Sequence, residues 1–520
     1  MGHKVRRIGR RIAALTACLL LAAALPVGAV DVAPAECYWY NAKYQAVTIP
    51  EAYELVETVE LSAMTEATLS GLTDSFLGAD GRLYLLDKSG LILILDEHYR
   101  LIKQLDTFQK SPEAIVTVPP LAEGEELRED TEGDTVTLNA PEGLFVDNAG
   151  FIYVADTENM RVLRMNDEGM VDRIFNEPDN LTGTEEDLDY LPSKLVVDSA
   201  GRIFVVVRNV NMGIVVLDPN GQFITYRGAP SVTLSIFDAF WRKFSTEAQR
   251  DRMKTYVPTE YNNVTINEED FIFGTISSLS DEDLLNAIWS GDSSGKVAPL
   301  KKLNLAGEDI LRRQGMYAPV GDLVTEAENL SAFRDVALSD CGIYTALDTN
   351  KGRLFTYDDD GELLFAFGGI GNKLGQFSRP VAVAYAGDDL LVCDGYTNRV
   401  YRFAPTAYGA LVLSAVKYYY NGDYDASYDC WGQVLEYNSN MSLAYVGVGK
   451  AYYQEKDYVN AMECFKIAGD VKQYSNAYRK VRDGLVRSYF GYIVGGVLVL
   501  SVIALVVGLY KRLERFSKED

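Results

Sequence analysis

The sequence predicts a mainly β chain, a six-bladed β-propeller, followed by an α-helical hairpin segment and one transmembrane helix. Three observations carry that prediction. One strand–turn–strand phrase recurs six times between residues 50 and 405. From Ala407 a pattern of helical period repeats at a spacing of 34 residues. An uncharged apolar run extends from Phe490 to Leu509, and about 20 such residues span a hydrocarbon core of about 30 Å.

The phrase is an apolar triplet, an acidic turn with glycine, and an apolar-aromatic strand. It reads Phe76-Leu77-Gly78-Ala79-Asp80-Gly81-Arg82-Leu83-Tyr84 in the first copy and Leu144-Phe145-Val146-Asp147-Asn148-Ala149-Gly150-Phe151-Ile152 in the second. It returns from Leu195, Val264, Val336 and Val383. Asp or Asn beside Gly supplies the positive φ of a tight hairpin. Second hairpins turn at Asn166–Gly169, Asp218–Gly221 and Asp358–Gly361. Four strands per unit, repeated six times, make a propeller. The apolar strand from Tyr53 to Leu61 is expected to complete the last blade and close the ring.

The fourth copy departs from the pattern. Asp270 stands where the turn glycine belongs, and an insertion of helical period, about 231–257, precedes it. Ser235 with Asp238 can cap that helix. Phe237, Phe240, Trp241 and Phe244 fall on one face. Two readings stay open for this face: packing on the propeller rim, or docking to a partner or the membrane surface.

The ends predict topology. Lys4, Arg6, Arg7, Arg10 and Arg11 precede an apolar run from Ile12 to Leu25 and the small-residue exit Val27-Gly28-Ala29. This is the pattern of a signal peptide over residues 1–29. Tyr489, Tyr492 and Tyr510 flank the span at 490–510, and Lys511, Arg512, Arg515 and Lys518 follow. The positive-inside rule puts the tail, residues 511–520, in the cytoplasm. The expectation is a single-pass cell-membrane protein with its bulk extracytoplasmic.

Composition excludes some functions. A net charge of −25 repels phosphate backbones, so nucleic acid is not an expected partner. The two histidines are His3, inside the leader, and His98, in a turn. A site needing two imidazoles is thereby excluded, and nucleophilic triads are disfavoured. Cys37, Cys341, Cys393, Cys430 and Cys464 remain after the leader, an odd number without metal spacing.

Two resemblances follow. Pro141-Glu142-Gly143, Ala155-Asp156-Thr157-Glu158-Asn159-Met160-Arg161-Val162, Asp394-Gly395-Tyr396-Thr397-Asn398-Arg399-Val400 and the linker from Gly368 to Pro380 make residues 50–405 resemble the NHL family of six-bladed propellers. That resemblance implies an interaction module. The glycines of the linker are not a nucleotide loop, because strands flank them on both sides. Tyr445, Gly449, Tyr452, Ala461, Phe465 and Ala468 make residues 407–488 resemble tetratricopeptide hairpins, with a helix from about Tyr474 to Ser488 running towards the span. Such repeats imply docking of protein segments; a plain spacer is the other reading.

Ligands of such propellers sit at the channel mouth. The positions before each innermost strand are Asp74, Glu142, Lys194, Asn263, Arg334 with Asp335, and Val381. Resemblance to six-bladed sugar-lactone hydrolases implies a divalent metal on Glu142, Asn263 and Asp335. Lys194 and Arg334 put positive charge at the same mouth, to neutralise the carboxylates or bind an anion. The acidic stretches 123–134 and 185–189 are candidate Ca²⁺ collectors, with solvated blade connections the favoured reading. The expected function is a binding scaffold without a cofactor, presenting propeller and helical repeats to a protein or glycan partner and linked to a membrane transporter. The alternative is a metal-dependent sugar-lactone hydrolase.

Overall fold

A computed structural model describes residues 37–117, 135–178, 181, 189–208, 210–228, 260–276, 279–323, 330–439 and 441–516. The leader, the acidic stretch 123–134, most of 185–189, the end of the tail and the insertion with Phe237, Phe240, Trp241 and Phe244 lie outside these residues.

Six sheets, antiparallel except for one parallel pairing in blade two, form the ring. Blade one runs Leu72–Leu77, Leu83–Asp87, Ile92–Leu95 and Leu101–Leu105 from the axis outwards, and blade three runs Pro192–Val197, Ile203–Val207, Ile214–Leu217 and Phe223–Arg227. Blade six contains Pro380–Ala386, Asp389–Asp394 and Arg399–Pro405, and its fourth strand is Tyr53–Glu60 from the start of the propeller. Arg399 lies opposite Glu60 and Pro405 opposite Tyr53. The first strand thus closes the ring on the last blade.

The turns follow from their residues. Asp198 Oδ1 accepts the N–H groups of Ala200 (3.0 Å) and Arg202 (2.8 Å), an Asx turn that aligns the hairpin. Asp270 takes the glycine's left-handed conformation itself, at φ 61°. Its carboxylate also accepts from the Ser199 amide (2.9 Å), which joins the turn of blade four to that of blade three.

Four strands per blade is corrected in three places. Among the described residues blade four has three, Tyr261–Ile266, Ile272–Ile276 and Leu300–Leu303, with helix α1 (Asp281–Ser290) between the second and third. Blades two and five have six each. In blade two, Phe108–Thr117 runs parallel to the outer strand Met170–Phe175, and Thr135–Val136 borders it. In blade five, Tyr38–Tyr40 and Ala46–Thr48 extend the sheet beyond Leu363–Gly368. An outer strand presents unpaired N–H and C=O groups, and the extra strands satisfy them.

A buried aspartate ends the second strand of four blades: Asp87, Asp156, Asp348 and Asp394. Each holds the linker entering its own blade. Asp87 accepts from Gly71 (2.7 Å), Asp156 from Asn139 (2.7 Å), Asp348 from Ala332 (3.0 Å) and Asp394 from Ser378 (2.6 Å), all backbone N–H groups. Blades three and four have Val207 and Ile276 there instead.

Helices α2 (Ala407–Tyr420), α3 (Tyr424–Tyr437), α4 (Ser442–Gln454), α5 (Tyr458–Ala468) and α6 (Val471–Phe516) follow. Thr406, Asp423 and Asp457 cap α2, α3 and α5, their side chains accepting from Gly409, Ala426 and Asn460 N–H groups. Consecutive helices pack on one another, and small residues allow it. A Cβ on Gly449 would stand 2.6 Å from the Phe465 ring, and one on Gly409 would stand 1.9 Å from the Ala52 carbonyl oxygen. Val412, Leu413, Val434 and Leu443 share one buried cluster with Tyr53, Phe365 and Phe367, so the helices rest on blades five and six.

The helix expected near Tyr474–Ser488 is the start of α6, whose 46 residues reach about 69 Å at about 1.5 Å per residue. It holds the single candidate membrane span among the described residues, and none of its apolar window is buried. The five described cysteines are free thiols.

Candidate functional site

The innermost strands of the blades line a central channel. In five of them the pairing slips by one residue at the channel end: between Leu72 and Asp74, Pro192 and Lys194, Tyr261 and Asn263, Phe333 and Asp335, and Pro380 and Ala382. A bulge re-aims the side chain that follows it. Asp74, Lys194, Asn263 and Asp335 consequently line one cavity of about 190 Å³, and all four are buried. Blade six contributes Ala382 at this register. Blade two contributes Gly143, where a Cβ would stand 2.6 Å from the Ser193 carbonyl oxygen, so no side chain fits.

The other expected positions fall one residue away from this ring. Glu142 is partly exposed and forms an ion pair with Arg208. Arg334 is exposed on the slipped residue of blade five. Val381 holds the slipped position of blade six and is buried. The alternation of strand residues locates the channel to within one position, but a bulge decides which of two neighbours faces it.

The four ring side chains are engaged with the protein. Lys194 Nζ lies 2.6 Å from Asp74 Oδ1, and Asp74 Oδ2 accepts the Leu144 amide of blade two (2.8 Å). Asn263 Nδ2 donates to Asp335 Oδ1 (2.7 Å), while Asn263 Oδ1 accepts the Val264 amide (2.7 Å). Asp335 also accepts from Val336 (2.8 Å) and, across to blade six, from Val383 (2.7 Å). These bonds stitch blade one to two, four to five and five to six around the axis. Burial, and then the Asp74 charge, push the Asp335 carboxyl up to about 6, with Lys194 pulling the other way.

The chemistry of this arrangement is that of a compact keystone with a small polar cavity. Glu142, Asn263 and Asp335 do not converge on a metal position. The Glu142 carboxylate is turned to Arg208, and both Asp335 oxygens take hydrogen bonds. Among the described residues no cluster of three or more His, Cys, Asp and Glu side chains has metal-holding geometry.

The family model for the NHL repeat matches residues 138–165, the three inner strands of blade two with the linker before them. No curated protein matches the chain. Solved structures that resemble it include virginiamycin B lyase from Staphylococcus aureus, 10% identical with a TM-score of 0.38, over 68% of this chain and 99% of that one. A streptogramin B lyase is 11% identical with a TM-score of 0.39, over 68% and 100%. The Cps50 (Swd1) β-propeller domain of Myceliophteria thermophila is 11% identical with a TM-score of 0.35, over 65% and 99%.

Proposed function

We propose that this chain is a membrane-anchored extracytoplasmic binding scaffold, in which the propeller and tetratricopeptide-like helices dock a protein or glycan partner, such as a membrane transporter complex. One observation supports this reading above others. The helices share a buried core with blades five and six and continue into a helix whose apolar window is not buried by the described residues, which supports a rigid body at the root of a span. A hydrolase with a channel metal is the weaker reading, because its ligand set is tied up in protein bonds. It requires that Glu142→Gln abolish both divalent-metal binding and lactone turnover.

The scaffold is tested by placing a photocrosslinking residue at Val459 or at Ile467, both exposed on α5, in native membranes. The expected result is one and the same membrane-protein partner from both positions. Crosslinks to lipid and to the chain itself alone would overturn the reading.

A further inference from the structure

A second concavity lies outside the ring, between blade five and the helices. It encloses about 690 Å³, well within the size range of small-ligand pockets, about 300–1,000 Å³. Its floor is the outer turn of blade five, Asp358-Asp359-Asp360, and its walls come from all five helices α2 to α6 and from the strand connection at Arg312 and Gln314.

Each carboxylate in this cleft is already paired with a cation. Lys450 Nζ lies 2.8 Å from Asp358 and 3.3 Å from Asp360, and Arg312 lies 2.8 Å from Asp359. A strongly charged ligand would have to break these pairs. The groups left over are neutral. The hydroxyls of Tyr420 and Tyr453 and the amide of Gln314 make no side-chain hydrogen bond to other described residues, and all three line the cleft. Tyr419 is held in place, its hydroxyl accepting from Gln454 Nε2 (2.9 Å) and its ring 5.6 Å from that of Tyr424. Aromatic rings beside a planar amide and a guanidinium–carboxylate pair suit a ligand with an apolar ring face and a rim of hydroxyls. An extended peptide would seek an open strand edge or a free charge; these walls are mostly helices, whose backbone groups are internally bonded, and the Gln314 backbone amide is already donated to Asp360.

We propose that this cleft binds a neutral oligosaccharide, stacked on Tyr420 and Tyr453 and hydrogen-bonded by Gln314 and the Arg312–Asp359 pair. The inference deepens the scaffold reading and rests on it for the cleft's display outside the membrane.

The test uses the full chain in a polyoxyethylene detergent, which has no sugar headgroup. Calorimetric titration with cello-, xylo-, manno-, malto- and chitopentaose should show binding of at least one. Tyr420→Ala and Tyr453→Ala should each weaken it by about tenfold or more, and Gln314→Ala by a smaller factor. Tyr396→Ala, at an exposed turn of blade six outside the cleft, should leave it unchanged. Tyr420 is 51% exposed, so its variant should melt with the parent and report binding alone. Absence of binding by all five sugars overturns the proposal. So does binding that both tyrosine variants leave intact, which puts the sugar elsewhere, and so does a tetralysine peptide that binds in a Tyr420-dependent way while the sugars do not. Crosslinking from Val459 in native membranes reports on the scaffold separately: a captured partner without sugar binding removes the cleft inference alone.

Discussion

Blades four and five stand side by side and open with the same phrase, yet they are completed in different ways. Blade four has three strands among the described residues, a helix between the second and third, and Ile276 at the end of its second strand. Blade five has six strands and ends its second with Asp348. Its strands carry stacked aromatic rings: Phe367 on Tyr53 of blade six at 5.2 Å, and Tyr344 on Tyr357 at 5.4 Å. The added strand Tyr38–Tyr40 is clasped by Asp322, which accepts from both hydroxyls and from Lys351 (2.6 Å). The helices then bury Lys450 against the blade's outer turn. The repeat therefore specifies the inner hairpin of a blade, while its outer half is completed by whatever segment the chain can bring there.

The largest effect should come from breaking that outer half. Lys450→Met leaves Asp358, Asp360 and Glu362 without their buried cation, and removing one partner of a buried ion pair costs about 3–5 kcal/mol. Denaturant unfolding of the solubilised chain measures it; a loss under about 1 kcal/mol would mean the cluster is hydrated and does not distinguish blade five. Next, Asp348→Ala strands the amides of Ala332 and Asn350 and should cost about 2–3 kcal/mol. Ile276→Val, at the equivalent point of blade four, should cost only about 1 kcal/mol. Equal losses would erase the distinction between the two blades.

The third test is pH. Burial pushes the Glu362 carboxyl up to about 8, with Lys450 pulling it down and Asp358 adding to the rise. The folded chain then holds a proton that the unfolded chain, titrating near its ordinary 4.5, has lost. Stability from this group is full below that value and is lost as pH rises through about 8, by about 1–3 kcal/mol. Melting temperatures at pH 5 and pH 8 should reveal this fall, and Glu362→Gln should flatten it. A slope unchanged by that substitution would assign the proton to another group. The smallest effect belongs to blade four: Trp289 on α1 is 60% exposed, so Trp289→Ala should stay within about 0.5 kcal/mol. A larger loss would show that α1 has a partner covering it.

Much of the ring was legible because its signals are local. Period-two strands, Asp–Gly turns and the closing strand at Tyr53 are properties of short windows. Asp74, Lys194, Asn263 and Asp335 were placed at the channel by the same alternation, whereas Arg334 and Val381 missed by one residue because a bulge leaves no composition mark; Glu142 missed because blade two, which has no slip, puts Gly143 at the ring. Helix α1 was overlooked although Ser280 accepts from the Asp283 amide as a cap, a spacing visible in the sequence. The parallel strand at Phe108–Thr117 had no such signal, since its partner Met170–Phe175 lies far along the chain.

By itself the sequence determined the repeating hairpins, the helical period after Ala407 and the apolar stretch from Phe490, because each depends on residues only a few positions apart. Only the tertiary structure decided which neighbour of each bulge enters the channel, where the helices rest, and that Lys450 meets an aspartate 92 positions earlier. Those outcomes depend on the balance of burial and charge between distant segments, and that balance exists only once the segments are packed together.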